Sequence, residues 1–142
     1  MFSTSHLHPM LVHFPIALVI VGFLAEIAAL IFKKEPTLSR TGFYLLIIGS
    51  ISAFAAWLTG NLFTADMNGA AGKVQGYHEL FANITLGLLF LTSVIRIFIL
   101  IRKNESTTLK LVAFIFYALA ALSVSITGFI GGKLVYNFML GM

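Results

Sequence analysis

The chain contains no cysteine among its 142 residues. Without thiols it cannot form disulfide bonds, bind a metal through thiolates or hold an iron–sulfur cluster by cysteine ligands. Charged residues are also scarce, at 10% compared with roughly 25% in soluble domains. Hydrophobic residues make up 59% of the chain. This composition excludes an ordinary soluble domain and indicates an integral membrane protein.

Four apolar runs are long enough to cross a bilayer, which takes about 20 residues per helix. The predicted spans are, roughly, residues 9–32, 41–63, 79–101 and 109–131. No basic segment precedes the first run, and it is too long for the apolar part of a signal peptide. We therefore expect it to be a retained helix.

Little sequence remains outside these runs, so we expect one four-helix domain over residues 1–142. It divides into a first hairpin (9–63), an outer loop (64–77) and a second hairpin (78–136). The loop is predicted because residues 61–77 contain three glycines together with Asn, Asp and Gln, which favour turns.

Most of the basic residues lie in or beside two short connections, between the first and second spans and between the third and fourth: Lys33, Lys34, Arg40, Arg102, Lys103 and Lys110. The positive-inside rule predicts that both connections face the cytoplasm. Both termini and the outer loop, whose only basic residue is Lys73, then face the periplasm or the cell exterior. The positive charge is explained by topology, and no nucleic-acid partner is expected.

Two histidines, His13 and His78, stand at the outer ends of the first and third spans. Each has an alanine four residues later, Ala17 and Ala82, on the same helix face. A histidine at the edge of a membrane span is costly to hold there, so it is a candidate functional residue. Two at matching positions suggest one shared ligand.

A weak internal repeat supports this pairing. His13 leads through a span and a basic connection to Thr59-Gly60, and His78 leads in the same way to Thr127-Gly128. The predicted fold is all-α, a polytopic four-helix up-down membrane bundle made of two parallel helical-hairpin repeats. In such a bundle the first and third helices are diagonal and parallel, so His13 and His78 are expected to meet across the axis.

Facing imidazoles suit iron, copper or zinc, and bundle cores commonly hold cofactors. Haem b accounts best for the neighbouring residues, because small side chains leave room for a flat macrocycle. The predicted cofactor site has His13 and His78 as ligands of the haem iron, with small residues as its walls: Ala17, Ala82, Gly60 and Gly128. Close helix packing is the other explanation of these small residues.

A different metal site is the alternative to haem. His8 is a further candidate ligand, and with His6, Asp66 and Glu79 it would form a richer cluster. Zinc needs four such ligands in a tetrahedral array, and its structural sites usually include thiolates, which this chain lacks. Zinc, copper and no metal at all therefore stay open as alternatives.

Two other features lie inside the spans. Pro15 removes a helix hydrogen bond to the Leu11 carbonyl and is expected to kink the helix beside His13. Glu26 and Arg96 lie near the cytoplasmic ends of the first and third spans. They are interpreted as an interhelical ion pair, or as Arg96 extending its side chain to the membrane interface, rather than as a proton or ion relay.

The segment His8–Leu18, with the sequence HPMLVHFPIAL, resembles the opening motif of a bacterial membrane family known as domain of unknown function 2231. His78-Glu79, Thr127-Gly128 and the GGKLVY segment at 131–136 are similar to the rest of its pattern. The resemblance implies a four-helix domain of the bacterial inner (plasma) membrane. Relatives in which a Rieske iron–sulfur domain follows these helices imply a redox setting.

These observations predict a small b-type cytochrome, an electron carrier or redox-complex subunit rather than a complete enzyme. It would pass electrons from a membrane donor to an outer acceptor such as a Rieske or c-type cytochrome protein, which must be a separate polypeptide. The alternatives are a haem-free structural or assembly subunit with a histidine metal site, and a small transporter. Association into a homo-oligomer stays open.

Overall fold

The computed structural model describes residues 7–103 and 105–139, and all regular structure in these two ranges is helical. The elements are α1 (Leu7–Leu11), α2 (His13–Ile31), α3 (Pro36–Phe63), α4 (Gly69–Arg102), α5 (Thr107–Leu134) and a π-helical turn (Val135–Met139). Pro36 occupies the first turn of α3, where its missing N–H has no helical partner. The Ser106 side chain accepts a hydrogen bond from the Leu109 N–H and caps α5.

Four segments of the described residues are long and apolar enough to cross a membrane: His8–Ile31, Pro36–Phe63, Gly69–Arg102 and Thr107–Phe138. The prediction of four spans is confirmed. The first span combines α1 and α2. With 34 residues, α4 is about 51 Å long, which exceeds the roughly 30 Å of a hydrocarbon core.

The spans form an up-down bundle. The first span packs against the second and fourth, and the third packs against the same two, so the first and third lie on one diagonal. Residues 64–68 connect α3 to α4 at the end that carries His8 and His78, which we call the histidine end. Residues 32–35, and residues 103, 105 and 106, lie at the opposite end, which we call the basic-loop end.

Apolar side chains fill the middle of the bundle. Val19, Leu46, Leu89 and Ala120 have no exposed surface, and Tyr117 is almost as deeply buried. Each of the four spans contributes to this cluster. Large apolar side chains elsewhere point outward, as expected for helices that contact lipid.

The connection at the histidine end is shorter than predicted. The loop expected over 64–77 covers only 64–68, and α4 begins at Gly69 with a φ of +64°. The Gln75 side chain holds the short loop, since its Oε1 accepts from the Met67 N–H at 2.8 Å and its Nε2 donates to the Ala65 carbonyl at 3.4 Å. Gly72 lies directly against the Met67 carbonyl, where no Cβ atom would fit. The glycine-rich segment is therefore helical because of these contacts.

The first span is interrupted at Val12, one turn before Pro15. Proline has no N–H to donate to the Leu11 carbonyl, which weakens the helix at this point. The Val12 N–H still donates to the His8 carbonyl at 3.1 Å. The break separates α1, which carries His8, from the long helix that follows.

Candidate cofactor site at the histidine end

Two imidazole rings meet at the histidine end of the bundle. The ring centroids of His8, on α1, and His78, on α4, lie 6.1 Å apart, with the ring planes at 82°. Both side chains are half-buried. Because the first and third spans are diagonal, this pair lies between the four helices.

Each of the two rings is fixed by a backbone carbonyl of the span that follows its own. Nδ1 of His8 lies 2.9 Å from the Ala56 carbonyl oxygen, and Nδ1 of His78 lies 3.1 Å from that of Thr127. A carbonyl oxygen can only accept, so Nδ1 carries the hydrogen in both rings. In the neutral ring the lone pair is then on Nε2, which is the arrangement found in most metal-ligating histidines.

A glycine lies beside each ring. A Cβ atom built on Gly60 would lie 2.9 Å from Cε1 of His8, and one built on Gly131 would lie 3.1 Å from Cε1 of His78. Gly60 follows Ala56 by four residues, and Gly131 follows Thr127 by four. Residues four apart share a helix face, so each ring reaches its carbonyl through space that a side chain would occupy.

Hydroxyl groups surround the two carbonyl contacts. Thr59 Oγ1 lies 3.5 Å from Nδ1 of His8. Next to His78, Thr85 Oγ1 lies 2.7 Å from Ser123 Oγ and 3.3 Å from Thr127 Oγ1. These contacts fasten α4 to α5 at the level of the site.

His13 does not take the position that the sequence predicted for it. Its side chain is exposed, and its Nδ1–H donates to the Pro9 carbonyl at 2.9 Å. Ala17 shares this outward face and is also exposed. The ring that faces His78 is that of His8.

Helix geometry explains why His8, and not His13, lies next to His78. The buried positions of α2 begin at Pro15 and continue through Val19, Gly22 and Glu26. At 3.6 residues per turn, His13 is rotated about 200° away from Pro15, whereas His8, seven residues earlier, is rotated only about 20°. His8 is therefore on the face that points into the bundle, and His13 is on the opposite face.

The other predicted residues divide between site and packing. Gly60 lies beside His8, as a site residue should, and Ala82 is half-buried one turn after His78. A Cβ atom on Gly128 would lie 2.8 Å from Cδ1 of Ile16, so this glycine packs α5 against α2. Gly131 was not predicted. The signal for it is its position 71 residues after Gly60, close to the 70 that separate His8 from His78.

The donor set suits a metal that needs two protein ligands. Within residues 7–103 and 105–139, no group of three or more His, Cys, Asp and Glu side chains is placed to hold a metal ion. Asp66 and Glu79 are exposed, and His6 lies outside the described residues. Among the described residues, His8, Asp66 and Glu79 thus do not form the richer cluster considered for zinc or copper.

Haem iron needs only two axial ligands, because the macrocycle supplies the other four. Metal–imidazole bonds of about 2.0 Å on opposite sides of one ion place the ring centroids roughly 6 Å apart. The 6.1 Å between His8 and His78 agrees with this arrangement. Two histidine donors at this separation meet the protein-ligand requirement of a haem.

The charged pair lies at the opposite end of the bundle. Arg96 Nη2 lies 2.8 Å from Glu26 Oε1, which confirms the predicted ion pair. Arg96 also donates to the Ser39 carbonyl at 3.3 Å. A Cβ atom on Gly42 would lie 2.8 Å from Cγ of Glu26, so the carboxylate side chain fills the space that glycine leaves. This close packing indicates a structural role.

Fold and site together define a four-helix membrane protein with a histidine pair at one end. The chain belongs to the family described as predicted membrane protein (DUF2231), whose pattern it matches over residues 4–142. This confirms the family suggested by the HPMLVHFPIAL motif. No curated protein and no solved structure matches the chain.

Proposed function

We propose that the protein is a membrane-embedded b-type cytochrome, in which His8 and His78 would hold one haem. The observation that carries the proposal is the pair of neighbouring rings, each held through Nδ1 so that Nε2 is left for a metal. This assignment replaces His13 by His8. When bound, haem supplies one-electron redox chemistry.

The protein residues hold and tune the ligands. The carbonyls of Ala56 and Thr127 set the tautomer and the orientation of the two rings. Hydrogen bonds of this kind also make a ligating imidazole more basic. Both rings are half-buried, so they would hold a haem where access of water is limited, which would favour electron transfer over reactions with solvent.

The location of the site suggests its partners. The positive-inside rule puts the basic-loop end in the cytoplasm and the histidine end outside. Both termini are then periplasmic in a bacterial inner membrane. A membrane donor would reduce the haem, and an outer-side Rieske or c-type cytochrome protein would oxidise it. The chain serves as an electron carrier or as a subunit of a redox complex.

Optical spectroscopy of purified protein tests the proposal. After expression with ample haem supply and purification in detergent, we expect a Soret band that shifts on reduction with dithionite, with one haem per chain. His8→Ala and His78→Ala should each lose the haem or its six-coordinate spectrum. His13→Gln is the matched control, because it removes an imidazole from the same span but keeps a donor for the Pro9 carbonyl.

Two results would overturn the proposal. One is wild-type protein that stays colourless, in which case metal analysis would distinguish a histidine metal site in a structural subunit from a chain that binds no metal. The other is an unchanged spectrum in both His8→Ala and His78→Ala. Loss of haem in His13→Gln alone would return the ligand role to His13.

A further inference from the structure

The inward faces of the first and third spans follow one spacing. In each of these two spans, the residues that face the bundle follow one another at intervals of seven, four, three and four residues. Each of these positions in the third span comes 70 residues after its counterpart in the first span. The two sets are His8, Pro15, Val19, Gly22 and Glu26, and His78, Thr85, Leu89, Thr92 and Arg96.

The second and fourth spans repeat the pattern with an offset of 71 residues. Their matched buried positions are Gly42, Leu46, Gly49 and Ala53, and Ala113, Tyr117, Ala120 and Val124. The same offset of 71 residues relates Thr127 to Ala56 and Gly131 to Gly60. These four are the residues that receive the two histidine rings.

We propose that the histidine site is built twice from one unit, with Gly60 and Gly131 as its positioning residues. The unit is a histidine on one span, a carbonyl on the next span, and a glycine four residues after that carbonyl. The glycine leaves room for the ring to reach the carbonyl. The proposal rests on the proposed function only in calling the two rings haem ligands.

The contacts assign a stronger effect to Gly60 than to Gly131. A Cβ atom at Gly60 would meet Cε1 of His8 at 2.9 Å, a distance that forces the ring to move. At Gly131 the corresponding distance to His78 is 3.1 Å, which a shift of a few tenths of an ångström would relieve. Alanine at either position should weaken the Nδ1–H bond of one ring and leave the other ring in place.

Close helix packing alone does not explain Gly60 and Gly131. A Cβ atom on Gly132 or Gly87 would have no neighbouring atom within 4 Å, and one on Gly128 would meet Ile16 rather than a histidine. Since alanine is a better helix former than glycine, substitution at Gly132 or Gly87 should not harm the helices. Gly87 and Gly132 are therefore the matched control positions, and Gly128 is the control for packing of α5 against α2.

Nitrogen-15 NMR of the imidazole rings tests the inference on the full chain in detergent, in protein expressed without haem. We expect the wild type to show two rings with the hydrogen on Nδ1, assigned with the His8→Gln and His78→Gln variants. Gly60→Ala should perturb only the His8 signals, and Gly131→Ala should perturb only those of His78, by a smaller amount. Gly132→Ala, Gly87→Ala and Gly128→Ala should leave both rings unchanged.

Unperturbed rings in both Gly60→Ala and Gly131→Ala would overturn the inference, and so would equal effects in the control variants. Haem titration of the same proteins separates this outcome from the proposed function. We expect Gly60→Ala to weaken haem binding by about 10-fold to 100-fold, the usual effect of losing a partner that orients a metal ligand. A wild type that binds no haem but shows the expected NMR changes would support the inference and refute the cytochrome.

Discussion

His13 is best explained as a residue that stabilises α1, the short helix that carries His8. Its Nδ1–H donates to the Pro9 carbonyl at 2.9 Å, beside the break at Val12. Such a bond holds α1 where Pro15 has weakened the helix. The two histidines of the HPMLVHFP motif thus have different tasks, since His8 enters the bundle and His13 stabilises its approach.

Replacing His13 separates these tasks. We expect His13→Ala to lower the free energy of unfolding by about 0.5–1 kcal/mol, the contribution of one hydrogen bond. His13→Gln should restore most of this, because the amide can donate to the same carbonyl. Thermal unfolding in detergent, followed by circular dichroism, measures the difference. Equal losses in the two variants would contradict a hydrogen-bonding role.

At the level of residues, the sequence singles out His78 but not the histidine that lies next to it in the structure. His13 has the same local surroundings as His78, with an apolar span and an alanine four residues later. What distinguishes His8 is its phase on the buried face, seven residues before Pro15, and this phase is known only once the buried positions are known. Gly131 was missed for the same reason.

The Glu26–Arg96 pair connects the four spans near the basic-loop end. Glu26 is on α2 and Arg96 on α4, while Ser39 on α3 accepts from Arg96 through its carbonyl. The Tyr117 hydroxyl of α5 donates to the Gly42 carbonyl of α3 at 3.1 Å, next to Glu26. Apolar side chains in the middle of each span specify the register of the helices only weakly, so these polar contacts help to fix how the helices align.

A double-mutant cycle measures the coupling of this pair. Arg96→Gln should lower the free energy of unfolding by about 3 kcal/mol, because it leaves the buried Glu26 carboxylate without its partner. Glu26→Gln should lower it by less, because the Arg96 side chain is only partly buried. The double variant should be destabilised by less than the sum of the two. Strict additivity in thermal unfolding would show that the ion pair contributes nothing to stability.

The loop at the histidine end is held by one side chain. Gln75 accepts from the Met67 N–H and donates to the Ala65 carbonyl, although turn-forming residues predicted a loop through residue 77. Local preferences favoured a turn, and the contacts that make the segment helical arise only when the loop folds back. Sequence reasoning therefore located the connection but made it too long.

Hydrogen exchange tests the role of Gln75. We expect Gln75→Leu to speed exchange of the Met67 amide by about 10-fold, since the loss of one hydrogen bond of about 1.4 kcal/mol has this effect on an opening equilibrium. Gln75→Glu keeps the acceptor and should protect the amide. If Gln75→Leu leaves the Met67 rate unchanged, the loop is held by other contacts.

The whole molecule has ionisable clusters at its two ends and a mainly apolar middle, in which the Ser50 and Ser93 hydroxyls lie 3.0 Å apart. Val19, Leu46 and Leu89, which have no exposed surface, separate the histidines from Glu26 and Arg96. His8 lies 11 residues before Val19, about 16 Å along the helix axis. We therefore expect electrons to enter and leave at the histidine end or from the side, without crossing the bundle.

Vesicles that hold the protein in one known orientation test whether electrons reach the site without crossing the bundle. With the histidine end facing the medium, a reductant that cannot cross the membrane should reduce all of the haem rapidly. With the basic-loop end outward, the same reagent should reduce none until detergent is added. Equal rates in the two orientations would show that the apolar middle does not insulate the site.

The four spans and their up-down order could be predicted because bilayer thickness dictates how long an apolar helix must be. The diagonal placement of the first and third spans followed from three short connections. Which helix face points inward could not be predicted from composition, since the lipid-facing surfaces are as apolar as the core. This ambiguity is why the sequence placed His13 opposite His78, whereas in the structure His8 lies there.

Electron paramagnetic resonance of the oxidised, purified protein tests the central claim most directly, because low-spin ferric haem with two histidine ligands has a distinct signal. The wild type and His13→Gln should both show this signal. His8→Ala and His78→Ala should each convert it to a high-spin signal or lose it with the haem. A low-spin signal that survives in both alanine variants would contradict the assignment of His8 and His78 as the ligands.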